Sequence, residues 1–242
     1  MALTKVGSGV IQDDAVGIAN LGATGTASAT TFLRGDNAWA AAGGGFNSIQ
    51  VFTATGTWSK STNTPTKIIV EVISAGGGSG SNSAAATSGG PGGGGAYALK
   101  VLDVTDIDTA TVTVGAAGAA ASYVSAQPGA TGGVSSFAKL SGSGSFTTVT
   151  CPGGTPGANN TLEPGGFSAA PTTGDINLAG MTGSGKPSIG FAYWGGDTKY
   201  GWGGRGHPSS GVGYGSGGVC NTGTYKDGTV GLNGIVIVWE YK

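Results

Sequence analysis

The chain has 242 residues, of which 52 are glycine; only 10% are charged, and the formal net charge is −1. Disordered chains are highly charged and poor in aromatics, whereas this one carries five Trp, seven Tyr and seven Phe; collagen is excluded because no G-X-Y period runs through it and prolines number nine. Nucleic-acid binding needs clustered Lys or Arg and a membrane span needs about 18–20 apolar residues, so with neither present no nucleic-acid partner and no membrane insertion are expected.

Residues 1–45 scatter Leu3, Val6, Val10, Ile11, Val16, Ile18, Leu21, Phe32, Leu33 and Trp39 among Thr, Ala and Gly. The spacing fits neither a clean helix nor a clean strand. Such a segment cannot bury its apolar groups alone, so it is expected to attach to another chain or to copies of itself. Its start, Met1-Ala-Leu-Thr-Lys-Val6, lacks the apolar stretch of a secretion signal, which predicts synthesis in a cytosol and no disulfide between Cys151 and Cys220. With one histidine in the chain, the two cysteines read as small core or loop residues, and no metal or cofactor is expected. Arg34-Gly35-Asp36 spells the integrin-ligand tripeptide but reads as a turn. Ala40–Gly45 reads as a linker.

Residues 46–242 read as a mostly β domain. Ile49–Thr53 alternates, Lys67–Ile73 is β-branched at nearly every position, and Thr109–Val114 alternates with Val112 and Val114 on one face. Gly234–Tyr241 is apolar on both faces, the pattern of a strand buried on both sides. A terminus this apolar is expected to dock centrally, with the first and last strands of the domain paired or close.

Between these strands lie glycine runs at 76–80, 89–95, 129–133, 153–157, 165–166 and 201–218, without the fixed period of a solenoid. Two readings compete. The runs are flexible linkers, or they are extended left-handed segments packed side by side, where missing Cβ atoms let main chains approach and hydrogen-bond. Nearby Tyr193, Trp194, Tyr200, Trp202 and Tyr214 favour the second.

Gly180–Pro187 nearly spells a phosphate-binding loop, but that loop needs Ser or Thr after Lys186 to hold Mg²⁺, and Pro187 disfavours the helix start. His207 is the only histidine, so any histidine-based triad must use it; with Gly206 and Pro208 beside it, it reads as a contact residue of a loop. No carboxylate pair suited to glycoside hydrolysis stands out, and no enzyme activity is expected. The stretch 190–208 sets aromatic, Arg and His side chains among glycine turns, and loops on rigid scaffolds commonly carry recognition. Tyr193, Trp194, Asp197, Tyr200, Trp202, Arg205, His207 and Tyr214 are therefore the candidate receptor-binding residues. The competing reading has some of these aromatics filling the core, Trp194 and Trp202 first.

Residues 49–242 resemble the glycine-rich distal, adhesin-like domain of tailed-bacteriophage fibres. The resemblance rests on the order of Phe52–Trp58, Lys67–Val72, Gly76–Gly80, Gly92–Tyr97, Thr111–Gly118, Gly132–Phe137 and Gly234–Trp239. Thr31–Trp39 is similar to a segment of trimeric fibre shafts. The resemblance implies a homotrimeric fibre protein of the virion, made in the host cytoplasm and joined to tail, baseplate or capsid proteins through residues 1–45. Its glycine runs would form polyglycine-II helices, here shorter and interrupted at 83–87 and 159–163. It would bind a host surface glycan or outer-membrane protein. A purely structural decoration protein and a glycan depolymerase are the alternatives.

Overall fold

A computed structural model describes residues 22, 24–28, 31–41, 44–62, 64–82, 89–124, 127–159, 165–184, 194–204, 211–220 and 226–242. Met1–Gly45 and Phe46–Lys242 are two compact units. In the first, β1 (Thr31–Leu33) and β2 (Trp39–Ala41) form an antiparallel hairpin, Thr31 opposite Ala41. The turn between them closes with Arg34 N–H donating to Ala38 O at 2.9 Å and Asn37 N–H to Arg34 O at 3.0 Å. Asn37 has φ of 61°, a left-handed conformation that Asn tolerates better than most residues. Arg34–Asp36 thus lies in a turn, its two charged groups paired at 3.0 Å and more than half exposed. The apolar positions from Leu3 to Leu21 lie outside the described residues.

The second unit is a sandwich of two antiparallel sheets, and the described residues contain no helix. Its strands in chain order are β3 (Phe46–Phe52), β4 (Gly56–Ser59), β5 (Lys67–Ile73), β6 (Tyr97–Asp103), β7 (Thr109–Thr113), β8 (Ser135–Ser141), β9 (Val149–Cys151), β10 (Ile176–Leu178), β11 (Gly201–Trp202), β12 (Val212–Gly213) and β13 (Ile235–Tyr241). One sheet has the order β10-β6-β5-β13-β3, the other β4-β7-β8-β9. Alternation sets the inner faces: Ile68, Val70 and Val72 of β5 and Val236 and Val238 of β13 meet Trp58, Val112, Phe137 and Val149 from the facing sheet. Trp58 and Phe137 are fully buried, their rings 5.8 Å apart, and Phe146 stacks on Phe137 at 5.6 Å. Trp58 donates its indole N–H to Glu240 at 2.8 Å; Gln50 and Ser48 donate to the same buried carboxylate.

The first and last strands of this unit do pair, Val236 with Phe52 through Glu240 with Ser48. The expectation that β13 is buried on both faces is corrected. Val236 and Val238 face the sandwich interior, but Ile237, Trp239 and Tyr241 lie half-buried on the outer face. Both cysteines are buried and free of disulfide. Cys151 donates its thiol to Val72 O at 3.2 Å, and burial pushes its titration up to about 12.

The glycine runs continue straight out of the sandwich strands and form a hydrogen-bonded lattice. Along the run after β5, donors three residues apart reach the same neighbour. Ser74, Gly77 and Gly80 donate to Ala96, Gly93 and Gly90; Ala75 and Gly78 donate to Gly133 and Ala130; Gly76, Ser79 and Asn82 donate to Leu232, Thr229 and Lys226. The carbonyls of the same run accept from further segments. Gly154 and Gly157 donate to Ala75 and Gly78, Gly118 and Ala121 to Gly76 and Ser79, and Gly218 to Gly77. A spacing of three is the signature of the polyproline-II-type helix, which has three residues per turn and no internal hydrogen bonds; an α-helix would give 3.6 and a strand two. Segment 74–82 is therefore ringed by runs around 90–96, 130–133, 226–232, 154–157, 118–121 and 218. The run before β6 repeats the pattern, Gly90, Gly93 and Ala96 donating to Ala158, Thr155 and Pro152. Pro91, which has no N–H, still accepts from Gly166 through its carbonyl.

These are polyglycine-II helices packed side by side, and the flexible-linker reading falls. The reason for glycine here is space rather than an unusual φ. A Cβ on Gly78 would lie 2.5 Å from the carbonyl carbon of Ala119, with no positive φ at that position. The run 201–218 departs from the expectation. Among its described residues, the end from Gly215 on joins the lattice and Gly204 accepts from Gly195, while Trp202 pairs with Val212 in the β11–β12 hairpin.

Candidate functional site

The β11–β12 hairpin springs from the lattice edge and folds back over the five-stranded sheet. Returning segment 194–197 is hydrogen-bonded into the lattice, Ser184 and Trp194 exchanging main-chain bonds and Gly196 donating to Gly92. A tight turn follows, Thr198 N–H donating to Gly201 O at 2.8 Å. Tyr214 N–H then donates to Tyr200 O at 3.0 Å, and the Thr198 hydroxyl donates to Tyr214 O at 2.6 Å. Gly213 of β12 has φ of 88°, a left-handed backbone that a side chain would strain.

A buried carboxylate clamps the base of this hairpin. Glu71 sits in the middle of β5 on the outer face, only 6% exposed. Its Oε2 accepts from Lys199 Nζ at 2.5 Å, Tyr200 OH at 2.8 Å and Tyr97 OH at 2.9 Å; Oε1 accepts from the Trp239 indole at 3.0 Å. Lys199 also lies over the Tyr97 ring, 4.3 Å from its centroid. Burial alone would push the Glu71 carboxyl up, but the hydrogen bonds from Lys199, Tyr200 and Tyr97 outweigh it and hold the group below its ordinary value. Burial and the neighbouring carboxylate push Tyr97 up to about 12. For Lys199, burial opposes the charge, yet the bonds to Glu71 and the tyrosines raise its titration. Tyr214 packs beside Ile73, Tyr97 and Ile235, sealing the sheet end nearest the lattice.

The candidate residues are split by this arrangement. Tyr200 and Tyr214 belong to the clamped base, Tyr200 being 37% exposed as a residue. Asp197 turns its carboxylate to Gly203 N–H at 2.7 Å and so serves the backbone of the hairpin. Trp202 is 67% exposed beside its cross-strand partner Val212, and Trp194 is 43% exposed on the lattice edge. The reading that Trp194 and Trp202 fill the core is thereby corrected; the core tryptophan is Trp58. Tyr193, Arg205 and His207 lie outside the described residues, as do Gly185–Pro187 of the loop that resembles a phosphate-binding motif. Gly180–Ser184 of that loop are extended lattice residues, Met181 donating to Asp197 O.

Sequence reasoning missed Glu71 and Lys199. The signal was present: a carboxylate at the centre of a β-branched strand must find donors, because a bare buried charge is costly. Among the described residues no group of three or more His, Cys, Asp or Glu could hold a metal ion. A family model for a glycine-rich domain matches residues 52–241. No curated protein matches the chain.

Proposed function

The chain belongs to the glycine-rich domain family over residues 52–241; from its resemblance to tailed-phage fibres and its exposed aromatics, we propose that it is a virion attachment protein, the receptor-binding part of a phage tail fibre, using its lattice as a stiff support for host-surface contacts. The contact is non-covalent. Residues 1–45 join it to its fibre or particle, and the exposed aromatics of the lattice edge and hairpin meet a host surface glycan or outer-membrane protein. One observation carries the reading: Trp202 and Trp194 stand exposed on backbone held in place by the lattice, the turn at Thr198 and the Glu71 clamp. Aromatic side chains on a fixed backbone bind with little ordering cost.

The test is adsorption of the purified full chain to host cells. Trp202→Ala combined with Trp194→Ala should weaken adsorption about tenfold or more, the loss of roughly one aromatic anchor at 1.4 kcal/mol or above, while the melting temperature stays near that of the parent. Adsorption unchanged in the double variant would remove these residues from the contact. No adsorption by the parent to any host strain would leave the domain a structural part of the particle.

A further inference from the structure

The five-stranded sheet has a second face, and it is apolar. Register places Ile49 and Val51 of β3, Ile237 and Trp239 of β13, Ile69 of β5, Leu99 and Val101 of β6 and Ile176 of β10 side by side on it. Val51 is 53% exposed, Val101 51% and Ile176 49%, and Phe46 at the rim packs its ring 6.1 Å from Tyr241. Among the described residues, the hairpin covers Ile73, Tyr97 and Ile235 in the row nearest the lattice and Glu71 at the middle of the next row.

With strands about 4.8 Å apart and residues on one face about 6.6 Å apart along each strand, each position covers roughly 30 Å²; β10, only three residues long, reaches one open row and Glu71 is covered, so the open positions give a footprint on the order of 400 Å². That lies within the range of the largest apolar patch on a typical monomer, a size that often marks an interaction site, and is about half of the ~800 Å² that one partner contributes to a standard interface, the scale of a weak association. The charges on the face are already neutralised within it. Glu71 is paired to Lys199, and Lys67 stands directly opposite Asp103 at the rim. The face therefore has no surplus of either sign to select an acidic or basic partner, and it can oppose an identical face without like-charge repulsion. Its aliphatic side chains offer no hydrogen bonds to sugar hydroxyls.

We propose that this outer face of the β10-β6-β5-β13-β3 sheet is a self-association surface, and that its occupant is a second copy of the chain. Sedimentation velocity of the full chain, from low to high micromolar, reads the result without any host cell, so it stands or falls apart from the attachment reading. The parent should associate, and Val51→Lys with Val101→Lys should weaken that association by about tenfold or more. Leu140→Lys, at an exposed position on β8 of the other sheet, should leave it intact. A parent that stays monomeric throughout, or an oligomer that survives the double change, overturns the proposal. Should the double variant misfold, cysteine labelling decides: Ile49→Cys should react with maleimide more slowly as concentration rises and Leu140→Cys should not, the native Cys151 and Cys220 being buried. Equal rates at every concentration overturn it.

Discussion

Replacing Gly78 by alanine is the sharpest probe of the lattice. At an ordinary site with a compatible backbone, Gly→Ala stabilises by about 0.4–1 kcal/mol, because the unfolded chain loses freedom. At Gly78 the new Cβ would stand 2.5 Å from Ala119 C and 2.9 Å from Gly118 O, with Ala119 O closer still, whereas ordinary contact begins at 3.4 Å. Restoring contact means moving two main-chain segments apart by about 1 Å. Gly78 donates to Ala130 O at 2.9 Å and accepts from Gly157 at 2.9 Å, and the displaced segment carries the Gly118-to-Gly76 bond, also 2.9 Å. Two or three buried bonds stretched or lost, at about 1–3 kcal/mol for each group left unsatisfied, cost roughly 3–5 kcal/mol net of the entropic gain. For a domain of this size, that lowers the melting temperature by about 6–20 °C. Gly56→Ala is the control: its Cβ would meet Phe52 at 3.7 Å, an ordinary contact, and the variant should melt at or slightly above the parent. The assay is a thermal melt followed by far-UV circular dichroism. If Gly78→Ala and Gly56→Ala melt alike, the glycines are not there for close approach and the lattice argument fails.

Acid should loosen the hairpin before the sandwich. Glu71 titrates below its ordinary value when folded, so its contribution is complete above the unfolded value near 4.5 and is lost as pH falls through the lower, folded one; the Trp239 indole N–H signal should shift in that window and hold steady between about pH 5 and 9. Tyr97, pushed up to about 12, acts in the opposite sense: its contribution is present below about pH 10 and fades as pH rises through the folded value. Trp58→Phe removes the indole donor to the fully buried Glu240 while leaving Gln50 and Ser48, and should cost about 1.5–3 kcal/mol in urea unfolding; a loss under ~0.5 kcal/mol would show that the remaining donors suffice.

Much of the sandwich could be read from local pattern. Lys67–Ile73 carries enough β-branched residues to declare a strand, and β5 has those bounds. Phe52 and the last strand pair because both are apolar and nothing else at the ends of the domain can cover them. The lattice was legible as a need for close main-chain approach, but not as a geometry. Which run neighbours which is set by bonds between residues as distant as Gly76 and Leu232, and no local pattern encodes that partnership. The aromatics failed as a guide to burial. Trp202 alternates with glycines that supply no companion side chains, so nothing around it builds a core, whereas Trp58 has Phe137 and Phe146. Glu71 was overlooked because one charged residue in an apolar strand looks like an exposed interruption until its four donors, drawn from three other segments, are brought together by the fold.

The central run 74–82 also bears on how the chain reaches its native state. Its bonds to Lys226, Thr229 and Leu232, and the pairing of β3 with β13, join residues roughly 140 or more positions apart. Contacts of such wide sequence separation are slow to form, and until residues 226–241 emerge from the ribosome, Gly76, Ser79 and Asn82 have N–H groups with nothing native to meet. The body therefore cannot close until that segment is available, and before then its glycine runs carry main-chain groups open to pairing with neighbouring chains.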